Sequence, residues 1–373
     1  MKNMKKVLYT ATVLSHICQF HLPYLKIFKE KGYEVHVAAK DNLLEKNGLA
    51  LKYADKFVDI PFSRSPKSLK NIKAYRQLKK LINGDYYDLI ICNTPMGGIL
   101  TRLAAKRTRK KGTKVVYFAH GFHFYKGAPK SNWLFYYPIE KKFSKKCDVL
   151  ITITHEDYAL ASSKFKTKVV HCHGVGVDGS RHACVSDREK LELRNQLGVH
   201  DESFICLCIG ELNKNKNQKE IIELVPKLKE VIPNFKLWLA GNGNTKQELE
   251  SKIEDLDLKD CVTLLGYQPQ IETYIRASDV IVSVSKREGM PFNIIEAMLA
   301  KRPVVVSENR GHRELIKDDI NGFITNDIQN FVESIVKLSK DKDVYDRISE
   351  QAYIDAQNYT VDAVKQEFFK ELL

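Results

Sequence analysis

Residues 279–309 read DVIVSVSKREGMPFNIIEAMLAKRPVVVSEN. DVIVSVS is an unbroken apolar run of strand length, and PVVVSEN is a second one. Between them lie a polar loop, Lys286 to Met290, and a helix-length stretch for which Pro291 fits the first position, where its missing N–H costs nothing. Alternating strands read as half-solvated, whereas continuous apolar runs read as strands covered on both faces. A strand, a helix and a second such strand therefore predict a parallel sheet with helices on both sides.

The same rhythm extends in both directions. Upstream of residue 178 the apolar runs are KKVLYTATV, YEVHVAAK, YDLIICN, KVVYFAH and DVLITI, with helical stretches such as FHLPYLKIFKEKG and GILTRLAAKRTRK between them. After Gly179 the series restarts with SFICLCIGEL, FKLWLAGNG, CVTLLGY, DVIVSVS and PVVVSEN. The expected architecture is α/β, with two Rossmann-like doubly wound parallel-sheet domains, residues 1–178 and 179–355. The polar segment Asp178 to His200 reads as a linker with a charged helix, and residues 356–373 as a terminal helix crossing back to the first domain. Doubly wound sheets bind ligands at the carboxyl ends of their strands, so a central cleft between the domains is expected to hold the site.

Composition excludes several function classes. Of 373 residues, 43% are hydrophobic and 28% charged, which supports packed cores and not long disorder. No stretch reaches the length of uncharged apolar sequence that spans a bilayer, and the N-terminal apolar run, broken by Tyr9, Thr10 and Thr12, reads as a strand and not a signal peptide. Eight cysteines lie without metal-ligand or disulfide spacing, as in a reducing cytoplasm. The net charge of +14 is uneven: residues 1–178 carry 33 Lys and Arg against 13 Asp and Glu, and residues 179–373 carry 27 against 33. The basic half calls for an anionic surface. Nucleic acid is the lesser reading, because no zinc finger, helix-turn-helix or RNA-recognition signature accompanies the charge.

Glu288 and Glu296 flank the start of the 291 helix. A helix N-terminus carries free N–H groups and about half a positive charge, a site for a diphosphate. A carboxylate before the helix and one about a turn and a half inside it can accept hydrogen bonds from hydroxyls on either side of that diphosphate. The pair reads as a clamp for a sugar nucleotide. Alone, two glutamates eight apart read more readily as a charge at the helix start and a solvated helix residue.

The E-x7-E pattern at Glu288–Glu296, with PVVVSENRGHRELI and NGFI after it, resembles the retaining glycosyltransferases of family 4, whose fold is GT-B. SHICQFHLPYL, TPMGGILTRLAAK, AHGFHFYKGAP, NWLFYYPIE and GVGVD resemble the capsule and exopolysaccharide branch of that family. The resemblance spans the chain and says little about the sugar. It implies Glu288 against the donor sugar, Glu296 against the ribose, and donor contacts from Gly289, Met290, Pro291 and Phe292. In GELNKNKNQ it implies a diphosphate-binding Lys216 beside Gly210. Glu211 stands where the family has an arginine, so either Lys214 or another cation helps, or Lys216 and the helix N-terminus suffice. The Gly241-Asn242-Gly243 and Gly266-Tyr267 loops fall where the nucleotide base approaches, although tight turns explain their glycines as well. Ser15 and His16 replace the family's glycine pair after the first strand. His120 falls beside the transferring sugar, with His123 on the acceptor side; Thr94, Met96, Gly97 and Gly98, in a turn between a strand and a helix, suit an acceptor-side loop lining the cleft and equally a plain helix start.

Trp133, Phe135 and Tyr136, followed by Lys141, Lys142, Lys145 and Lys146, suit an interfacial membrane segment, with the basic run 107–114 adding charge. Asp255-Leu256-Asp257 falls at a helix end, and neither a metal nor another cofactor is expected. The resemblance thus implies a retaining hexosyl- or N-acetylhexosaminyltransferase. It would work at the inner face of the membrane, from a UDP-linked nucleotide sugar to a polyprenyl-linked oligosaccharide acceptor. A sugar-nucleotide epimerase of the same fold, or a non-catalytic partner subunit, fits the same motifs.

Overall fold

The computed structural model describes residues 4–45, 48–199 and 202–372. The chain divides into two compact units, one comprising residues up to Gly176 plus Val364–Leu373, the other Val177–Ala363.

The first unit is built on seven strands: β1 (Lys6–Val13), β2 (Glu34–Lys40), β3 (Lys56–Asp59), β4 (Leu89–Asn93), β5 (Lys114–Ala119), β6 (Val149–Thr152) and β7 (Lys168–His171). They form one sheet in the order β3-β2-β1-β4-β5-β6-β7, every pairing parallel. The chain order reverses between β1 and β4, so the segments leaving those strands diverge there and leave room for a ligand. The central strand β4 is buried throughout, as its apolar run predicts. The helix Val361–Leu372 buries Val364, Phe368 and Leu372. Phe368 meets the rings of Tyr24 at 4.7 Å and Phe118 at 5.9 Å, and the Lys114 ammonium donates to the Leu372 carbonyl at 2.8 Å.

The second unit has six strands, β8 (Phe204–Ile209), β9 (Phe235–Ala240), β10 (Val262–Gly266), β11 (Val280–Ser283), β12 (Val304–Ser307) and β13 (Phe323–Thr325). Their order is β10-β9-β8-β11-β12-β13, again all parallel. Here the reversal lies between β8 and β11. The core is aliphatic, with Ile222, Val225, Leu237, Leu239, Val282 and Ile348 at full or near-full burial. The chain stays with this unit to Ala363, beyond the boundary at 355 expected from sequence. The cause is a backbone clasp: Val177 N–H donates to the Tyr359 carbonyl and Val361 N–H to the Val177 carbonyl, each at 2.9 Å. The expected charged helix after residue 178 runs from Asp187 to Gln196, closed at its start by a capping box between Ser186 and Glu189.

Among the described residues no helix is long and apolar enough to cross a membrane. All eight cysteines are unpaired, and only Cys184 is exposed.

Candidate functional site

At the reversal in the second unit, the loops leaving β8 and β11 lie together. The β8 loop is shaped by Asn213, whose side-chain oxygen accepts from the backbone N–H groups of Asn215 and Lys216, both at 3.0 Å. Asn215 then joins the two loops: its carbonyl accepts from Lys286 N–H at 2.8 Å, and its amide donates to the Arg287 carbonyl at 3.0 Å. That bridge brings Lys216 Nζ to 2.6 Å from Glu288 Oε1, with 21% and 13% of the side chains exposed. The Lys216 stem lies across Gly210, where an added Cβ would sit 3.0 Å from Cε. Glu211 and Lys214 are exposed and form no ion pair among the described residues.

The helix Phe292–Leu299 begins one residue later than expected. Pro291 is extended (φ −80°, ψ 95°) and serves as the N-cap; it offers no side-chain oxygen to the first turn. Asn293 ties this turn to the end of β8 by donating to the Ile209 carbonyl at 3.1 Å. Behind the Glu288 loop, the start of the helix Arg310–Leu315 packs so closely that a Cβ on Gly311 would sit 2.6 Å from Glu288 Cβ. The same turn buries His312 completely. Its Nδ1 donates to the Ser307 carbonyl at 2.5 Å, while its Nε2 has no partner among the described residues. Burial lowers its pKa, with the Ser307 hydrogen bond and Glu288 opposing and Lys216 adding to the effect.

Glu296, one helical turn further on, faces other partners. His182 Nε2 lies 3.7 Å from its Oε1. Burial, with Glu272 adding and Arg181 opposing, pushes the Glu296 carboxyl up to about 7. Arg181 is itself engaged with both oxygens of Glu272 at 3.1 Å. Burial, strengthened by Arg181, holds His182 down to about 4. Folded Glu296 thus keeps its proton where the unfolded carboxyl, near 4.5, loses it. Its contribution to stability is complete below pH ~4.5 and is lost as pH rises to about 7. His182 runs the other way, since stability is gained as pH rises from about 4 to its ordinary 6.5. The two slopes oppose each other, so the signature lies in a difference. Glu296→Gln should match wild type near pH 4.5 and become the more stable protein by about 2 kcal/mol at pH 8, the full ~3 kcal/mol being discounted for partial exposure. Paired urea unfolding across that range checks it; a difference that does not vary with pH overturns it.

The glycine loops earn their residues by packing. A Cβ on Gly241, whose φ is +149°, would lie 2.0 Å from the Gly210 carbonyl oxygen, and one on Gly243 would lie 2.0 Å from that of Leu212. Gly241 N–H also donates to the Gly266 carbonyl at 2.8 Å. Tyr267 is 64% exposed. Gly241→Ala must move the Lys216 loop and should destabilise the protein by about 3 kcal/mol, read as a lower denaturation midpoint. An unchanged midpoint would show that the loop yields freely.

In the first unit, His120 ends the β5 segment. Its Nε2 lies 3.1 Å from His16 Nε2, 3.3 Å from His21 Nε2 and 3.2 Å from Asn93 Oδ1. Burial holds all three imidazoles below their ordinary pKa, His16 at about 4 with Arg64 adding, and His21 and His120 well below. Ser15 is fixed by Asn42, which accepts from its N–H at 3.0 Å and donates to its hydroxyl at 2.9 Å. Thr94, at φ +64°, bonds to the Thr12 hydroxyl at 2.7 Å. Gly97 and Gly98, expected on the acceptor side, are buried in the helix Pro95–Ala104: a Cβ would meet Thr12 N at 2.9 Å or the Tyr117 ring at 2.5 Å. Met96 packs on the same core, and the His123 ring stacks on Tyr136 at 4.8 Å.

The aromatic-lysine segment is the helix Lys130–Ser144. Leu134 (70%), Phe135 (62%), Tyr136 and Ile139 are exposed along it. Trp133, expected on that face, instead turns inward, its ring tilted against Phe124 at 5.6 Å and its indole N–H donating to the Tyr125 carbonyl at 3.2 Å. Lys141, Lys142 and Lys145 are exposed, and Lys146 is half-buried. Part of the basic run before it belongs to the fold, since Arg109 pairs with Asp148 at 2.8 Å.

Comparison with known proteins places this geometry. Residues 6–154 match the family described as "Glycosyl transferase 4-like" and residues 189–355 "Glycosyl transferases group 1". A putative glycosyltransferase, EpsD, of Bacillus subtilis (strain 168) is 46% identical over 323 residues, 86% of this chain and 83% of EpsD. The chain belongs to the group 1 glycosyltransferases. Across 343 residues this glycosyltransferase is also 29% identical to a UDP-Gal:alpha-D-GlcNAc-diphosphoundecaprenol alpha-1,3-galactosyltransferase of Escherichia coli, covering 88% and 86% of the two chains. Among solved structures, Anabaena Alr3699/HepE, crystallised with UDP and glucose, superposes with a TM-score of 0.78 at 21% identity over 99% of both chains. WaaG, a glycosyltransferase of lipopolysaccharide biosynthesis, gives 0.74 at 16% identity over 97% of this chain and 98% of its own. The fold of this glycosyltransferase is GT-B.

His312, Asn213, Asn215, His182 and His21 are absent from the sequence-derived site. Asn213 had a local signal, an asparagine two and three residues before the N–H groups it binds. For Asn215, His182 and His21 the partners lie 71, 114 and 99 residues away in the chain, and for His312 the local bonds to Ser307 and Asn309 gave no sign that it packs behind the Glu288 loop.

Proposed function

We propose that this glycosyltransferase moves a hexose or N-acetylhexosamine from a UDP-linked donor to a polyprenyl-diphosphate-linked saccharide, with retention at the anomeric carbon. The observation that carries the reading is the Lys216–Glu288 pair, held by two mutually bonded loops where the strand order reverses. As an ion pair the two charges neutralise each other. With donor bound, Lys216 turns to the diphosphate, where it and the helix start at Phe292 stabilise the charge that develops on the leaving group. Glu288 is then free to accept from a sugar hydroxyl, and Glu296 from the ribose. Charge-assisted hydrogen bonds of this kind contribute about 1.5–3 kcal/mol each. In the first unit, His120 orients a sugar or acceptor hydroxyl. Two similar proteins support the chemistry: the Escherichia coli galactosyltransferase acts on a diphosphoundecaprenol-linked sugar, and HepE was crystallised with UDP and glucose.

The reaction as proposed needs no metal, so exhaustive chelation should leave the rate unchanged. The exposed helix face of Leu134, Phe135 and Ile139 beside Lys141, Lys142 and Lys145 supports peripheral binding at the inner face of the cell membrane. Leu134→Ser with Phe135→Ser should weaken binding to anionic vesicles at least about tenfold in a sedimentation assay. Equal binding by the double variant would remove that face from the proposal.

The deciding experiment is a donor panel on purified protein with anionic vesicles carrying lipid-linked saccharide. Nucleotide release together with a heavier lipid, and an axial or equatorial product matching the donor's anomer, supports the proposal. A donor isomerised without acceptor points to an epimerase, and a donor bound without any turnover to a partner subunit.

A further inference from the structure

Three imidazole nitrogens of the first unit converge on one point, and the contacts among them cannot all be hydrogen bonds. His120 Nε2 has three close polar neighbours, His16 Nε2 at 3.1 Å, His21 Nε2 at 3.3 Å and Asn93 Oδ1 at 3.2 Å. A neutral imidazole nitrogen carries either one proton or one lone pair. If it bears the proton it donates to one neighbour; if it bears the lone pair it accepts from one. At least one of these close polar contacts is not a hydrogen bond whichever tautomer is chosen, in a setting where His21 is fully buried. Such a strained set of lone pairs is relieved by a cation.

We propose that His16, His21 and His120 form a reversible binding site for a zinc-class divalent ion. The three ligand nitrogens lie within 4.8 Å of one another. Zinc–imidazole bonds of about 2.0–2.1 Å in a tetrahedron set nitrogens about 3.3 Å apart, close to the spacings already present. Each ligand is carried by a separate piece of fold. His16 lies in the helix Leu14–Phe20 that leaves β1, His21 at the junction with the next helix, and His120 directly after β5. All three are held neutral, the form that ligates. His16 and His120 are only partly buried, which leaves the fourth coordination position toward solvent. The site contains no carboxylate, and Arg64 acts on it from nearby. That donor set favours an ion that comes and goes over a resident one. Where His120 serves transfer as proposed above, an occupying ion withdraws it and inhibits. This last consequence rests on the functional reading, and the binding does not.

The test uses the full chain stripped with chelator and titrated with Co²⁺, whose visible absorption reports low-coordinate nitrogen ligation, followed by Zn²⁺ displacement. One equivalent with an intense visible band is expected. His16→Gln should weaken binding about 100-fold or more, while a double His155→Gln and His171→Gln variant, which removes the other close imidazole pair at 4.0 Å, should leave it unchanged. No visible band, or equal affinity in His16→Gln, overturns the proposal. X-ray absorption on zinc-loaded wild type guards against a variant that fails to fold: three imidazole nitrogens at about 2.0–2.1 Å support the site, and fewer refute it. Zinc binding without inhibition of transfer would leave the site standing and remove only the role assigned to His120.

Discussion

Glutamine in place of Glu288 is expected to lower kcat for sugar transfer by about 10²–10³-fold while the fold stays intact. The side chain is nearly the same shape, so the close contact between Glu288 Cβ and the backbone at Gly311 persists. What changes is charge. A neutral amide cannot hold Lys216 at 2.6 Å as an ion pair, and it accepts more weakly from a sugar hydroxyl at the moment positive charge grows on the donor carbon. The cost in stability should stay below about 1 kcal/mol, because both partners keep some solvent and Lys216 can reach water. A circular dichroism melt and steady-state kinetics at saturating donor separate the two effects. A transfer rate equal to wild type with an unchanged melt would defeat the clamp. A lost melt would be answered by Glu288→Asp, which keeps the charge and should retain fold with partial rate.

How much was legible depended on burial. The five apolar runs read in the first half are β1, β2, β4, β5 and β6, and the five in the second are β8 to β12. The strands that sequence missed are β3, β7 and β13, and all three lie at sheet edges. At an edge one side meets solvent, so β3 (KFVD) and β7 (KVVH) have no fully buried residue and no continuous apolar run to mark them. The doubly wound architecture was legible because its central strands are covered on both faces.

The site was legible only in part. Glu288 and Glu296 stood out as two carboxylates flanking a helix start, whereas Lys216 was singled out only through a resemblance to a family, because 72 residues separate it from the carboxylate it meets. The glycines misled in the opposite direction. Gly97 and Gly98 looked like a ligand-lining turn and are instead the surface on which a helix approaches Thr12 and Tyr117. A sequence records that a backbone must pass close to something, and it does not record to what. The inward turn of Trp133 is of the same kind: aromatics in one helix were read as one face, although residues 133 and 135 point about 200° apart around a helix axis.

Lys216→Met should produce the second large effect, a fall of about 10²–10³ in kcat, or about 2.7–4 kcal/mol of transition-state stabilisation. Methionine keeps the unbranched stem that lies on Gly210 and removes only the ammonium. In this chain the loss has little to soften it. Glu211 stands where relatives in the family place an arginine, and an exposed carboxylate repels the charge that an arginine would share. Lys214 is the other candidate, but it is exposed, unpaired among the described residues, and not drawn toward Glu288 as Lys216 is. Lys214→Met should therefore change kcat less than about threefold, and Glu211→Arg in the Lys216→Met background should recover part of the rate by restoring a cation to the loop. If instead Lys214→Met is the crippling change and Lys216→Met is mild, the ion pair with Glu288 is a structural tie between two loops, and the diphosphate is held by the exposed lysine.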